Sequence, residues 1–412
     1  MEYFFKVKKP DEVFEILDQF GPSGEETTLL EDGLGRVVSR DVISPEDLPG
    51  FSRATVDGYA VRAKDTFGAS ESLPALLEIT GEALMGERPG MVVKAGQAVK
   101  ISTGGMLPED ADGVVMVEYC NLLDKETLEV GRAVSPLENV IQPGDDFKEG
   151  APVLKKGRRL RAQDLGVMAG LGISEISVYQ RPRVGIISTG DEIVSIDTSP
   201  MPGQVRDINS YSLGAFCRRI GAESEYLGLC PDDFDSLRGM VENGLGQADT
   251  VWISGGSSVG TRDLTLKVFE TLPDFELLVH GISISPGKPT IIGRVGSQPV
   301  IGLPGHVASA LVVAEIFLTR LIAGLSGLGD FSSVFQGRVE AELSRNIESA
   351  GGREDYIRVK LIEKEGTLIA EPIFGKSGLI STLVDADGLI RIDINTEGLY
   401  QGQRVQVALL DS

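Results

Sequence analysis

Histidine, cysteine and tryptophan are scarce in this 412-residue chain, with two, three and one copies. Two histidines, His280 and His306, are too few for a histidine-rich metal centre, and a Ser-His-Asp triad asks for more than they supply. Three scattered cysteines, Cys120, Cys217 and Cys230, make neither a disulfide framework nor a zinc pattern. A reducing cytoplasm is the expected location. Positive charge is short as well: 39 Lys and Arg face 61 Asp and Glu, a formal net charge of -22. That balance excludes a nucleic-acid partner, whose phosphates need a basic face. No Walker A sequence occurs, and no GxGxxG loop follows the first strand of the α/β region. The start, Met1 to Lys6, has no long apolar run after a basic one, so no secretory leader is expected. The longest apolar stretch, Val307 to Leu325, contains Glu315 and Arg320 and reads as a buried helix, so no membrane partner is expected.

What the chain has in abundance is glycine, 51 residues, with 42% hydrophobic and 24% charged residues. These values fit a globular protein rich in tight turns. The length predicts two to four domains. Val13, Phe14, Ile16, Leu17 and Phe20 mark an amphipathic helix over residues 10–20. Residues 49–140 read as a mostly β insertion, flanked by residues 1–48 and 141–181, which form one N-terminal region with a helix near Gln163 to Ala169. From residue 182 to 328, strands alternate with helices. Strands are expected at 184–187, 226–229, 250–253, 291–293 and 300–303. Helices are expected at 209–220 (with Asn209 as N-cap), 234–245 and 264–271, and from Val307. This spacing predicts an α/β domain with a largely parallel sheet and helices on both faces. Residues 329–412 read as a small β-domain of a size and strand content that suit a barrel.

Glycine and acidic residues cluster where strands of the α/β region end. In an open α/β sheet, ligands bind beyond the carboxyl ends of the strands. One such loop is Ser188-Thr189-Gly190-Asp191-Glu192. Another is Ser254-Gly255-Gly256-Ser257-Ser258-Val259-Gly260, running to Asp263 at a helix start. A third is Leu303-Pro304-Gly305-His306, and a fourth, Ser285-Pro286-Gly287-Lys288-Pro289, adds a lysine between prolines. Glycine lets backbone N–H groups approach an anion, and a following helix N-terminus adds a positive dipole. Lys288 supplies a point charge for a phosphate or oxyanion. Asp191, Glu192, Asp232, Asp233 and Asp263 each read individually as a turn residue or helix cap. Together they could hold Mg²⁺, which takes one or two carboxylates plus substrate phosphate oxygens. Asp57, in Val56-Asp57-Gly58-Tyr59-Ala60, and Asp145-Asp146 stand apart and read as turn residues.

These strings, in this order along nearly the whole chain, resemble the molybdopterin molybdenumtransferases, the MoeA and gephyrin E-domain family. The resemblance rests on Thr189 to Glu192, Gly255 to Gly260 with Asp263, Pro286 to Pro289, Leu303 to Gly305, Val56 to Ala60, and Ile101 to Gly105 with Ala111 to Val115. It implies an elongated N-terminal region with an inserted β-domain, a molybdopterin-binding three-layer α/β domain, a C-terminal β-barrel, and a homodimer. It further implies Mg²⁺-dependent insertion of molybdate into adenylylated molybdopterin, with release of AMP. The molybdopterin adenylyltransferase is a possible handover partner. Carried over residue by residue, it places Asp57, Asp146, Glu192, Asp233 (in preference to Asp232), Asp263 and Lys288 in catalytic roles. Of these, Glu192, Asp233 and Asp263 are metal ligands. Substrate contacts fall to Ser102, Thr103, Gly104, Thr189, Gly190, Asp191, Gly255, Gly256, Ser257, Ser258, Pro286, Gly287, Pro304, Gly305 and His306. Asp57 and the Ser102 loop would complete the neighbouring subunit's site. The chain departs from the family at Ser285, where a lysine is usual, at His306 and Val307, where Asn-Pro is usual, and at Val56. These departures leave open tungstate in place of molybdate, and a non-catalytic molybdopterin-binding or scaffold role. A nucleotide pyrophosphatase on the same α/β fold is disfavoured by Asp57 and the insertion.

Overall fold

The computed structural model describes residues 7–255, 259–329 and 337–410; for residues 259–263 it describes the backbone. The chain divides into two compact units, one of Met1–Arg40, Lys156–Ala162 and Glu175–Ser412, the other of Asp41–Lys155 and Gln163–Ser174.

The larger unit is built on an α/β domain. Its elements in order are β1 (Arg183–Thr189), α1 (Asn209–Arg219), β2 (Glu223–Cys230), α2 (Phe234–Leu245), β3 (Thr250–Gly255), α3 (Val259–Glu270), β4 (Phe275–His280), β5 (Ile291–Val295), β6 (Gln298–Leu303) and α4 (Val307–Leu325). The strands form one six-stranded sheet in the order β2-β1-β3-β6-β5-β4. β1 is parallel to β2 and β3, and β3 to β6, whereas β5 runs antiparallel to both its neighbours. The expected α/β layering is therefore present, with β4 as a strand that the sequence reading passed over.

Period-two alternation along each strand sorts side chains between two cores. Val184, Ile186, Trp252, Ile301 and Leu303 pack on one face with α1 and α4; Ile187, Val251, Ile253 and Val300 pack on the other with α2 and α3. Trp252 is fully buried, and such a side chain cut to alanine costs about 3–5 kcal/mol. α4 is a single helical run with a π-helical turn at Ala314–Leu318, and its residues belong to the first core, so the apolar stretch is an interior helix. The N-terminal helix, Pro10–Leu17, lays Val13 and Leu17 against the same core and stacks Phe14 on Phe317 at 5.1 Å. Proline at its first position and Glu12 accepting from the Lys9 N–H at 2.9 Å set its start.

The C-terminal strands β7 (Arg338–Leu343), β8 (Glu354–Lys364), β9 (Thr367–Pro372), β10 (Gly388–Ile392) and β11 (Arg404–Leu409) pair in the ring β8-β9-β7-β11-β10-β8. The ring is a closed barrel, as the sequence suggests. Ile284–Ser285, from the α/β domain, adds to it by pairing in parallel with Glu354 and Asp355.

The smaller unit holds a six-stranded sheet in the order Gly113–Met116, Gly58–Val61, Gln97–Ile101, Ala75–Ala83, Thr127–Val130, Cys120–Leu122. It also holds the helix Ala162–Gly170. Tyr59, Val61, Val115, Leu128 and Val130 fill one side of the sheet. Gly58 is compulsory there: a Cβ would lie 1.9 Å from the Val115 carbonyl oxygen.

Candidate functional site

The connection after β1 crosses to the α1 face, and the connection after β3 crosses to the α3 face. The carboxyl ends of these adjacent strands consequently open a crevice at the topological switch point. Gly190 follows β1 and Gly305 follows β6 at this end of the sheet. Gly190 has φ +150°, and a Cβ on it would meet the Glu192 carboxylate at 2.8 Å, so glycine is required where the chain turns out of β1.

Three carboxylates gather beside it. Thr189, at the buried end of β1, donates through Oγ1 to Asp232 Oδ1 at 3.0 Å. The Asp232 N–H donates to Asp191 Oδ1 at 3.1 Å. Burial is the main influence raising the Asp232 pKa above the usual carboxylate range; the Thr189 hydrogen bond opposes it, and the charges of Asp191 and Glu192 reinforce it. The neighbouring Asp233 has another task. Its Oδ2 accepts from the Ser236 N–H at 2.9 Å, capping α2, and those hydrogen bonds lower its pKa. Of the two adjacent aspartates, Asp232 lies beside Asp191 and Glu192, whereas Asp233, the one favoured from the sequence, caps α2. Beneath this group the Cys230 thiol is pushed up to about 11 by burial and by the charges of Asp233 and Asp232, so it remains a thiol.

Behind the carboxylates lies a buried polar network that the sequence reading did not single out. Asp207 is 4% exposed; its Oδ1 accepts from Ser188 Oγ at 3.0 Å and from the Ser210 N–H at 3.2 Å. Asn209 Nδ2 donates to Ser254 Oγ at the end of β3 and to the Gly305 carbonyl, 2.8 Å away, after β6. Asn209 is therefore the first residue of α1 rather than its N-cap. Asp207 does the capping, while the Asn209 carboxamide reaches across the sheet. Burial raises the pKa of the nearby Tyr226 hydroxyl, and the charge of Asp207 adds to the effect. Asp207 Oδ2, Asn209 Oδ1 and Ser210 Oγ are buried without a partner among the described residues. Unsatisfied buried polar atoms of this kind mark a place where a ligand or water belongs. The clue in the sequence was Asp207-Ile208-Asn209-Ser210, a polar run at a helix start like the other loops.

The Gly305 loop leads into a cavity of about 500 Å³ walled by the α/β domain on one side and the barrel on the other. Pro286, Gly287, Lys288, Pro304, Gly305, His306 and Ser309 form one wall; Arg353, Tyr356, Arg358, Phe374 and Ser377 form the other. Gly287 has φ +111°, and a Cβ there would strike Val313 at 2.5 Å, which fixes the lysine-bearing turn against α4. Ser377 closes the seam, its Oγ 2.8 Å from His306 Nδ1 and its carbonyl accepting from the Ala308 N–H at 3.1 Å. Arg358 is 8% exposed; it donates to Thr382 Oγ1 and, at 3.2 Å, to the Gly375 carbonyl, while its Nε is buried without a partner among the described residues. Desolvation lowers its pKa. Arg353 is paired with Asp355 at 2.9 Å. The cavity is thus a cationic recess in an acidic protein.

Gly256, Ser257 and Ser258 lie outside the described residues, as does the side chain of Asp263. Gly255 ends β3. Asp57 and Ser102 to Gly104 belong to the smaller unit, where Asp57 Oδ1 accepts from the Thr103 N–H at 2.7 Å and from Thr103 Oγ1 at 3.1 Å. Asp57 and Asp146 are both exposed. Among the described residues, no three His, Cys, Asp or Glu groups form a metal cage. Mg²⁺ asks for less, one or two carboxylates with waters and substrate phosphate completing the shell. Asp191 and Asp232 offer such a pair, so the residues present fit a Mg²⁺ ion shared with a phosphorylated ligand.

Fold and site together define a multidomain α/β protein with a small-molecule crevice at the switch point of its sheet. Family models match in succession: "MoeA N-terminal region (domain I and II)" over residues 8–172, "Probable molybdopterin binding domain" over 185–323, and "MoeA C-terminal region (domain IV)" over 340–410. The molybdopterin molybdenumtransferase of Haemophilus influenzae is 31% identical over 388 residues, 94% of this chain and 94% of that protein. A crystal structure of a molybdopterin biosynthesis MoeA protein from Pyrococcus horikoshii is 37% identical with a TM-score of 0.82, covering 99% of this chain and 100% of its own. A second from the same organism is 30% identical with a TM-score of 0.84, covering 98% and 100%. The chain belongs to the MoeA family of molybdopterin molybdenumtransferases, transferases of molybdenum cofactor biosynthesis.

Proposed function

We propose that this chain inserts molybdenum from molybdate into adenylylated molybdopterin and releases AMP, as a Mg²⁺-dependent, cytoplasmic homodimer. The observation that carries this reading is the bridge made by Asn209. It couples the end of β3, the strand next to the β1 end that carries Asp191 and Glu192, to the Gly305 loop that walls the cationic cavity. An anionic oxometalate belongs in a recess holding Lys288, His306 and Arg358. A phosphoanhydride belongs at the carboxylate end.

In this reading Asp191 and Asp232, with Glu192 and Asp263 alongside, would hold Mg²⁺. When bound, the ion supplies positive charge that polarises the anhydride and stabilises the leaving phosphate. Thr189 orients Asp232 through its hydroxyl, and the Gly190 and Gly255 turns let backbone N–H groups approach the pterin phosphate. Lys288 and the buried Arg358 guanidinium orient the oxometalate. Asp57 and the Ser102–Gly105 loop act from the second subunit, and Asp146 keeps the catalytic role the family resemblance implies. The division into residues 1–48 with 141–181, 49–140, 182–328 and 329–412 is proposed as the functional one. Molybdopterin adenylyltransferase is the proposed donor of the activated pterin.

The test is reconstitution with adenylylated molybdopterin, Mg²⁺ and either molybdate or tungstate, following AMP. AMP release that depends on the oxyanion is expected; no release with either oxyanion overturns the reading.

A further inference from the structure

A second cavity, of about 160 Å³, lies in the larger unit and has nothing to do with the strand-end crevice. Arg36, Arg159, Arg181 and Arg218 line it, together with Tyr179 and Gln180. Four arginines around one small space, Arg36 and Arg159 half-buried and Arg181 and Arg218 exposed, are unexpected in a chain whose formal net charge is -22. Like charges repel unless each has its own partner or all share one.

The partners divide unevenly. Arg36 is committed: it donates to the Glu26 carboxylate and, at 2.8 Å, to the Tyr179 carbonyl. Arg218 donates to a neutral group, Ser224 Oγ, at 2.9 Å. Arg159 has a buried Nε without a partner among the described residues. Its pKa is lowered by burial, and no carboxylate offsets the effect. Burying a guanidinium without a counter-charge is costly, so this arrangement is sustained best by an anion drawn from solution. A tetrahedral oxyanion offers several acceptors to several forked donors at once, which is what arginine recognises best. The space is adequate: at about 30 Å³ per water, it holds on the order of five waters or one such ion.

Its position separates it from the proposed chemistry. Arg218 stands in the last turn of α1, and Arg181 precedes β1, whereas the polar network sits at the first turn of α1 and the carboxyl end of β1. The eleven residues of α1 put roughly 16 Å between the two helix ends.

We propose that the cavity formed by Arg36, Arg159, Arg181 and Arg218 binds a phosphate-type dianion near the amino end of β1, the opposite end of the strand from the crevice. The dianion is either free inorganic phosphate or the phosphoryl group of a nucleotide. Isothermal titration of the full chain at low salt, without molybdate, tests this with inorganic phosphate and AMP as separate probes. Saturable binding of phosphate that persists in Lys288→Ala, where the larger cavity has lost its lysine, and weakens at least tenfold when Arg159→Met is added, supports a site for the free ion. The same pattern for AMP alone supports a nucleotide phosphoryl group. Arg181→Gln, at an exposed position, provides a second variant should Arg159→Met fold poorly, and the same weakening is expected. Binding that survives both arginine substitutions, binding lost in Lys288→Ala, or no binding of either probe overturns the proposal. So does a dimer that loosens in Arg159→Met while phosphate fails to bind, since a partner's carboxylate then fills the cavity.

Discussion

The Asn209 carboxamide lies 2.8 Å from the carbonyl oxygen of Gly305, although 96 residues separate them. Through Ser254 the same carboxamide also holds the end of β3. One side chain therefore fixes the relative position of loops from three parts of the sheet. Asn209→Leu is expected to cost about 1–3 kcal/mol, because buried acceptors lose their donor. Thermal unfolding measures that loss. Turnover should fall further than stability predicts, and turnover like the parent's at temperatures where the variant is folded would remove Asn209 from the positioning role.

Asp232 and Asp233 are adjacent and chemically identical, yet the structure gives them different work. Asp232→Asn should reduce AMP release on the order of 100-fold while leaving the fold intact. Asp233→Ala should lower the melting temperature through the lost helix cap, with a milder effect on turnover. Parallel kinetics and melting curves separate the two. The reverse assignment would return Asp233 to the catalytic group.

The raised pKa of Asp232 has a thermodynamic sign. The folded state holds this proton more tightly than the unfolded chain, so the contribution is fully present below the unfolded pKa and is lost as pH rises through the folded value. Asp232→Asn should therefore flatten the decline in melting temperature above the normal carboxylate range. Asp233, with its lowered pKa, acts in the opposite sense, losing its contribution as pH falls. Melting temperatures collected from pH 4 to 7, about the carboxylate range, should show opposite changes of slope in the two variants.

Lys288→Ala and Arg358→Met each remove a cation from the larger cavity. Affinity for molybdate should fall about tenfold or more for each, as expected for loss of a charged hydrogen bond. Calorimetry with molybdate and tungstate provides the measurement; equal affinities in parent and variants would place the oxyanion elsewhere.

If two subunits share a site, Asp57→Ala and Asp232→Asn should complement each other. Each pure variant should be nearly inactive, and mixed dimers should recover activity from the site whose contributing residues are all intact. Mixtures that stay inactive would contradict a shared site.

The α/β layering was legible because strand alternation and helix periodicity are local. Helix α2 runs over the residues its pattern marks, Phe234 to Leu245. Strand β4 escaped notice because Leu277, Leu278 and Val279 form a continuous apolar run, and its pairing with β5 shifts register between Leu277 and Val279. The acidic and glycine loops were legible for the same local reason. The roles of Asp207, Asn209 and Arg358 were not. Each depends on contacts between distant segments, such as Arg358 with Gly375 and Thr382, which leave no periodic trace. The choice between Asp232 and Asp233 also needed coordinates, because a cap and a cluster member look alike in a string.

Ser377 and Arg358 come from the barrel, while His306 and Lys288 come from the α/β domain, and all four face the same recess. Under the proposed function, substitutions confined to the last quarter of the chain would alter which oxyanion the recess accepts without touching Asp191 or Asp232. If the proposed function holds, selection for a different metal has a route that leaves the carboxylate group at the strand ends untouched.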